Sequence, residues 1–178
     1  MKKLAAVMVC VLVLAWASLA SAQTYGALDD TTTMGPYLGI GGLMMSGDNG
    51  AGDTDSAFLP TVNIAGITDY VAWQAFYGMG SDTTVFGGSA DYILASNFDE
   101  CFTCPELGKW WFGAGVTAMN VDQLYFDDNN ATAAISETLF GGNLGFGYIW
   151  DRWAFNLYGH VLTDSQFGVQ ASLMYDLK

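Results

Sequence analysis

Basic residues are nearly missing from this sequence. Five Lys and Arg stand against 18 Asp and Glu in 178 residues, beside a single histidine, and the formal net charge is −13. A surface that grips nucleic-acid phosphates needs clustered cations, which this chain cannot supply, so nucleic acid is excluded as a partner. Charge of either sign is scarce. Only 13% of residues are charged, against about 25% in an ordinary soluble domain, while 52% are hydrophobic and 15% aromatic. That apolar content excludes a disordered chain, and the shortage of charge is unusual for a soluble enzyme surface. Three cysteines and one histidine do not form the paired clusters of a structural zinc site. Beyond the N-terminus, no apolar run reaches the 18 or so residues of a membrane helix. The length is that of one domain.

The N-terminus is an export address. Lys2 and Lys3 open it, an apolar run follows from Leu4 to Leu19, and Ala20-Ser21-Ala22 supplies the small-x-small pattern of a cleavage site. Residues 1–22 therefore read as a cleaved signal peptide, with the mature chain starting at Gln23. Cleavage leaves Lys109, Arg152 and Lys178 as the basic residues facing all 18 acids.

The remainder is cut to one length. Uncharged stretches of 12 residues lie between Asp69 and Asp82 and between Lys109 and Asp122; 13 lie between Glu137 and Asp151. Arg152 to Asp164 and Asp164 to Asp176 each enclose 11. These match the ~9–11 residues of a tilted membrane-spanning strand plus a flanking residue or two. Within them the period is two. Phe167, Val169, Ala171, Leu173 and Tyr175 share one face; Gly168, Gln170, Ser172 and Met174 share the other. Trp153, Phe155, Leu157, Gly159 and Val161 alternate in the same way with Ala154, Asn156, Tyr158 and His160. One face is apolar and aromatic, the other glycine, amide and hydroxyl. A soluble sandwich would put Lys, Glu and Arg on its second face, whereas small uncharged groups suit the crowded interior of a small barrel.

The spacing predicts eight strands, at 34–46, 59–68, 70–80, 83–95, 109–121, 137–149, 153–162 and 166–177. Pro60 and Gly66 interrupt the second. An even number closes an antiparallel sheet with both chain ends on one side. The fold class expected is all-β, an eight-stranded antiparallel up-and-down transmembrane β-barrel over 34–178, preceded by a short N-terminal periplasmic segment at 23–33. In that topology Trp73, Trp110, Trp111, Trp150 and Trp153 all fall near the turns at 69, 96–108 and 150–152, which reads as one interfacial belt.

With Gly35-Pro36-Tyr37-Leu38-Gly39-Ile40-Gly41-Gly42, Trp111-Phe112-Gly113-Ala114-Gly115-Val116 and Asn143-Leu144-Gly145-Phe146-Gly147-Tyr148 in order, followed by Asp151-Arg152-Trp153 and an amphipathic last strand, the chain resembles the small eight-stranded outer-membrane β-barrels. These are the relatives of the membrane domain of outer membrane protein A and of opacity-type proteins. Such barrels often end on an aromatic residue; this chain ends Tyr175-Asp176-Leu177-Lys178. The resemblance implies the Gram-negative outer membrane, reached through the periplasm, with outer-membrane lipids and lipopolysaccharide as neighbours. It implies a structural, envelope-integrity or surface-interaction role. The alternatives are a porin-like barrel that transports or binds a small solute or lipid ligand, and a lipid A-modifying hydrolase.

Candidate chemistry is thin. Cys101-Phe102-Thr103-Cys104-Pro105 lacks the histidine of a haem site and the second pair of a zinc site, which leaves a local disulfide pinching the 96–108 turn. His160 does not match the His-x-Ser arrangement of the lipid A-acting barrels, and no nucleophile, base and acid stand together. No enzyme, catalytic residue, cofactor or resident metal is expected. Asp91, the one acid in mid-strand, should point inward, because a charge facing lipid would cost several kcal/mol. Asp48-Asn49-Gly50-Ala51-Gly52-Asp53-Thr54-Asp55 lacks EF-hand spacing and reads as a solvated loop. The outer connections, 47–58, 81–82, 122–136 and 163–165, with Glu137 at the edge, hold nine acids and no Lys or Arg. Weak divalent cation binding at that rim is the expected consequence beside a phosphate-rich leaflet.

Overall fold

The computed structural model describes residues 33–48, 54–98, 108–126 and 132–178. Eight strands follow one another: β1 (Thr33–Asp48), β2 (Thr54–Thr68), β3 (Val71–Met79), β4 (Thr83–Ser96), β5 (Lys109–Phe126), β6 (Thr132–Trp150), β7 (Trp153–Leu162) and β8 (Phe167–Asp176). Each pairs antiparallel with the next, and β1 closes the circle on β8 from Tyr37↔Asp176 to Ser46↔Phe167. A closed barrel leaves no sheet edge around its wall, which is what a lipid environment demands of a β structure.

The tight turns lie at the lower end, together with the start of β1 and the end of β8. Asp69 and Asp151 open the two-residue β2–β3 and β6–β7 connections with φ of 53° and 52°, a left-handed conformation that aspartate tolerates better than most residues. Arg152, in the second of these turns, ties down the end of β8. Its guanidinium donates to the carbonyls of Asp176 and Lys178 and lies 4.6 Å from the centre of the Tyr175 ring.

Pro60 does not interrupt β2. β3 pairs with β2 only from Thr61↔Gly78 downward, so Pro60 sits where β2 has one neighbour and a missing N–H need break no bond to β3. The expected connection at 122–136 is also corrected. β5 and β6 stay paired from Asp122↔Ser136 to Phe126↔Thr132, and β1 and β2 from Met45↔Ala57 to Asp48↔Thr54. Charge marks where a strand leaves a membrane and not where pairing stops. Both pairs therefore rise as tall hairpins above the short β3–β4 and β7–β8 hairpins.

The interior is solid and stratified. An upper apolar layer contains Leu43, Leu59, Phe76, Val85, Met119 and Leu139; a lower one contains Tyr37, Ile67, Trp111, Tyr158, Ile149 and Met174. Between them every strand places small or polar groups inward, among them Asn63, Gln74, Asp91, Asn143, His160 and Gln170, all buried. Inward glycines make this packing possible. A Cβ on Gly147 would lie 2.0 Å from the Trp111 ring nitrogen, and one on Gly145 within 2.9 Å of the same ring. The indole thus lies flat against two positions that have no side chain.

That placement corrects the expected tryptophan belt. Trp111 is 1% exposed and belongs to the lower core, because its neighbour Trp110 holds the outward position and the period of two sends the next residue in. Trp73, Trp110, Trp150 and Trp153 stand on the outer face near the lower rim, as expected.

Candidate functional site

The inward polar groups form a belt with defined partners. Gln74 Nε2 on β3 donates to Gln170 Oε1 on β8 at 3.0 Å, and Gln170 Nε2 donates to Asn63 Oδ1 on β2 at 2.6 Å. Asn63 Nδ2 then donates to Thr61 Oγ1 at 2.9 Å. His160 Nε2 lies 3.4 Å from Gln170 Oε1, and its ring stacks on Tyr158 at 5.9 Å with an interplanar angle of 13°. A chain of amides therefore crosses the lumen and ties β2, β3 and β8 to one another.

Asp91 faces inward as expected and is fully buried. Consecutive register partners Asp91, Gly115, Asn143 and His160 form one row across β4 to β7. Because Gly115 contributes no side chain, Asn143 reaches past it, and its Nδ2 donates to Asp91 Oδ1. The second carboxylate oxygen has no partner among the described residues, nor do Asn143 Oδ1, Gln74 Oε1, His160 Nδ1 and the hydroxyls of Ser89, Tyr158 and Ser172. Groups of this kind inside proteins are ordinarily met by ordered water.

Both neighbouring layers are apolar. His160 and Asp91 share a row, but a side-chain amide stands between them. Asp91 was legible in the sequence as an inward acid. The Gln74–Gln170–Asn63 chain was not, since Gln170 lies about a hundred positions from each of its partners and each residue alone is one more inward polar group. Cys101 and Cys104, the signal segment 1–22 and residues 23–32 lie outside the described residues, as do Asp53, Asp127 and Asp128 of the acidic rim. Among the described residues, no three His, Cys, Asp or Glu side chains gather as a metal cluster.

The outer face completes the picture. Ile40, Val116, Phe140, Leu144 and Val161 are 56–72% exposed around the waist, and no charged side chain points outward there. Towards the lower rim come the aromatic pairs Tyr148–Trp150, at 5.7 Å between ring centres, and Trp153–Tyr175, at 5.1 Å and edge to face. An apolar waist with an aromatic girdle is the surface of a transmembrane barrel. Val116→Arg, at the waist, is therefore expected to cost about 2–4 kcal/mol in unfolding from lipid vesicles, and Val71→Arg, beside the lower turn, about 0–1. Equal costs at the two sites would mean that the waist does not face hydrocarbon.

An eight-stranded, up-and-down, antiparallel barrel with a filled lumen and a lipid-adapted surface is the fold of the small outer-membrane barrels. Among solved structures, the chain is similar to the crystal structure of Neisserial surface protein A, with a TM-score of 0.54 at 12% identity. The match covers 82% of this chain and 99% of that one. The sequence matches no protein-family model and no curated protein.

Proposed function

We propose that this protein is an outer-membrane barrel of Gram-negative type whose role is structural and interactive, and that it works through what it presents outside and not through its lumen. The observation that carries this reading is the stratified interior. The polar belt lies between two apolar layers, so a solute would have to displace packed Leu43, Phe76 and Leu139 from above, or Trp111 and Tyr158 from below. The same layers keep substrate from His160, which supports a non-enzymatic role. The wall contributes to the envelope, the acidic upper rim lies beside lipopolysaccharide and its bridging cations, and the two tall hairpins reach beyond the lipid.

Cell fractionation tests this directly. The chain is expected in the outer membrane with its N-terminus at Gln23, migrating differently in SDS gels before and after boiling. In planar bilayers the purified barrel is expected to show no unit conductance. Lipid A masses are expected to be the same with the native chain and with His160→Ala. Sustained conductance steps would restore the transport reading, and recovery in the inner membrane or cytosol would overturn the location.

A further inference from the structure

Asp91 is the only carboxylate among the buried side chains, and no Lys or Arg is buried with it among the described residues. An ionised carboxylate between apolar layers costs several kcal/mol without a counter-charge, because neither layer replaces the water it gives up. Asn143 Nδ2 supplies one hydrogen bond, to Oδ1. The other oxygen, Oδ2, has no partner among the described residues. The charge is therefore met by one amide and neutralised by no side chain of the belt.

The groups around it are of one kind. Ser89 is the next inward residue on β4, and its register partner on β3 is Gln74. Gln74 is thus the diagonal neighbour of Asp91, at the ~7–8 Å spacing of such pairs. Asn143 arrives from β6 over Gly115. Gln74 Oε1, Ser89 Oγ and Asn143 Oδ1 lack partners among the described residues, as Asp91 Oδ2 does, and all four residues are more than nine-tenths buried. The amide nitrogens of Gln74, Gln170, Asn63 and Asn143 are by contrast all engaged. What remains around Asp91 is a surplus of oxygen acceptors. Water meets acceptors but brings no charge; a cation meets them and neutralises the carboxylate.

We propose that Asp91, Asn143, Gln74 and Ser89 form a lumenal binding site for one alkali cation, Na⁺ or K⁺. Carboxylate, amide and hydroxyl oxygens are the ligands of hard cations, whereas softer metals take nitrogen and sulfur. The single carboxylate sets the charge of the ion. A divalent cation would leave an uncompensated positive charge between the two apolar layers, at the same kind of cost as the bare carboxylate. Leu43 and Phe76 above and Trp111 and Tyr158 below close the belt, so the ion enters as the strands assemble and exchanges slowly afterwards. Its role is to join β3, β4 and β6 at mid-height, as the chain of amides joins β2, β3 and β8.

The test refolds the full mature chain from urea into zwitterionic micelles at one pH. It compares about 0.1 M NaCl, KCl and N-methylglucamine chloride, which screen surface charge equally. N-methylglucamine is too large to enter the belt. At the urea midpoint found in N-methylglucamine, the ratio of folded to unfolded chain is expected to rise about tenfold in Na⁺ or K⁺, the factor for a dissociation constant of about 10 mM. Asp91→Asn retains the bond from Asn143 and every acid of the outer rim, and its ratio is expected to be the same in all three salts. Equal ratios for the native chain would overturn the proposal. An undiminished alkali preference in Asp91→Asn would assign the effect to surface acids and also overturn it. If that variant does not fold, elemental analysis decides. Native barrel refolded in the stabilising salt and transferred to N-methylglucamine chloride is expected to retain one alkali ion per chain, and retention of none would overturn the site. Neither readout bears on where the barrel resides, so failure here leaves the outer-membrane reading standing.

Discussion

Trp111→Ala is expected to destabilise the barrel by about 3–5 kcal/mol, the range for removing a large buried aromatic. The reason for expecting the upper part of that range is local. Trp111 is 1% exposed, and the wall it covers is Gly145 and Gly147, which have no side chains of their own to fill the space it would leave. A converse experiment sharpens the point. Gly147→Ala in the native background places a methyl group against a rigid indole and is expected to cost about 1–3 kcal/mol through overpacking. In the Trp111→Ala background the same methyl enters the void and is expected to be neutral or stabilising, so the double-mutant cycle should be strongly non-additive. Equilibrium urea unfolding in micelles, followed by tryptophan-independent circular dichroism, measures all four proteins. Additive costs would mean that the indole and the glycines do not share one space.

The second large effect concerns the two ends of one hydrogen bond, which should respond with opposite signs. Asn143→Ala removes the donor to Asp91 and strands a buried carboxyl group among apolar layers, where no Lys or Arg is within the belt to compensate. A loss of about 2–4 kcal/mol is expected, as when one partner of a buried polar pair is deleted. Asp91→Asn retains an oxygen that can accept from Asn143 and gives up the burial of an acid. It is expected to be neutral or stabilising. Matched unfolding curves at constant pH compare the two. A large loss from Asp91→Asn would show that the acid itself holds the belt together.

The resemblance to Neisserial surface protein A is one of fold, since 12% identity carries the architecture and little else. What this chain shares with it is the requirement to close a strand-built wall in lipid with one face apolar, and many sequences meet that requirement. What it presents outside is its own. The paired extensions of β1–β2 and β5–β6 beyond their shorter neighbours follow from its particular strand lengths.

Much of the wall was decided by the sequence alone. The period of two sorts every residue of Trp153–Leu162 and Phe167–Asp176 onto its observed face, because a strand has only two faces and lipid tolerates only one kind. Uncharged stretches of one length mark the spans, and aspartates at 69 and 151 mark tight turns. Asp91 could be turned inward on the cost of a charge in hydrocarbon. The tertiary structure decided the rest. The extent of β2, β5 and β6 above the waist depends on cross-strand pairing, which continues past the charges where a membrane pattern ends. Alternation with Trp110 turns Trp111 inward, but the room that Gly145 and Gly147 leave for its ring is revealed only by pairing with β6. The amides of Gln74, Gln170 and Asn63 find one another only when β1 closes on β8. Hydrophobic alternation is a local property carried by each strand, whereas register, closure and the partners of buried polar groups arise between strands far apart in the chain.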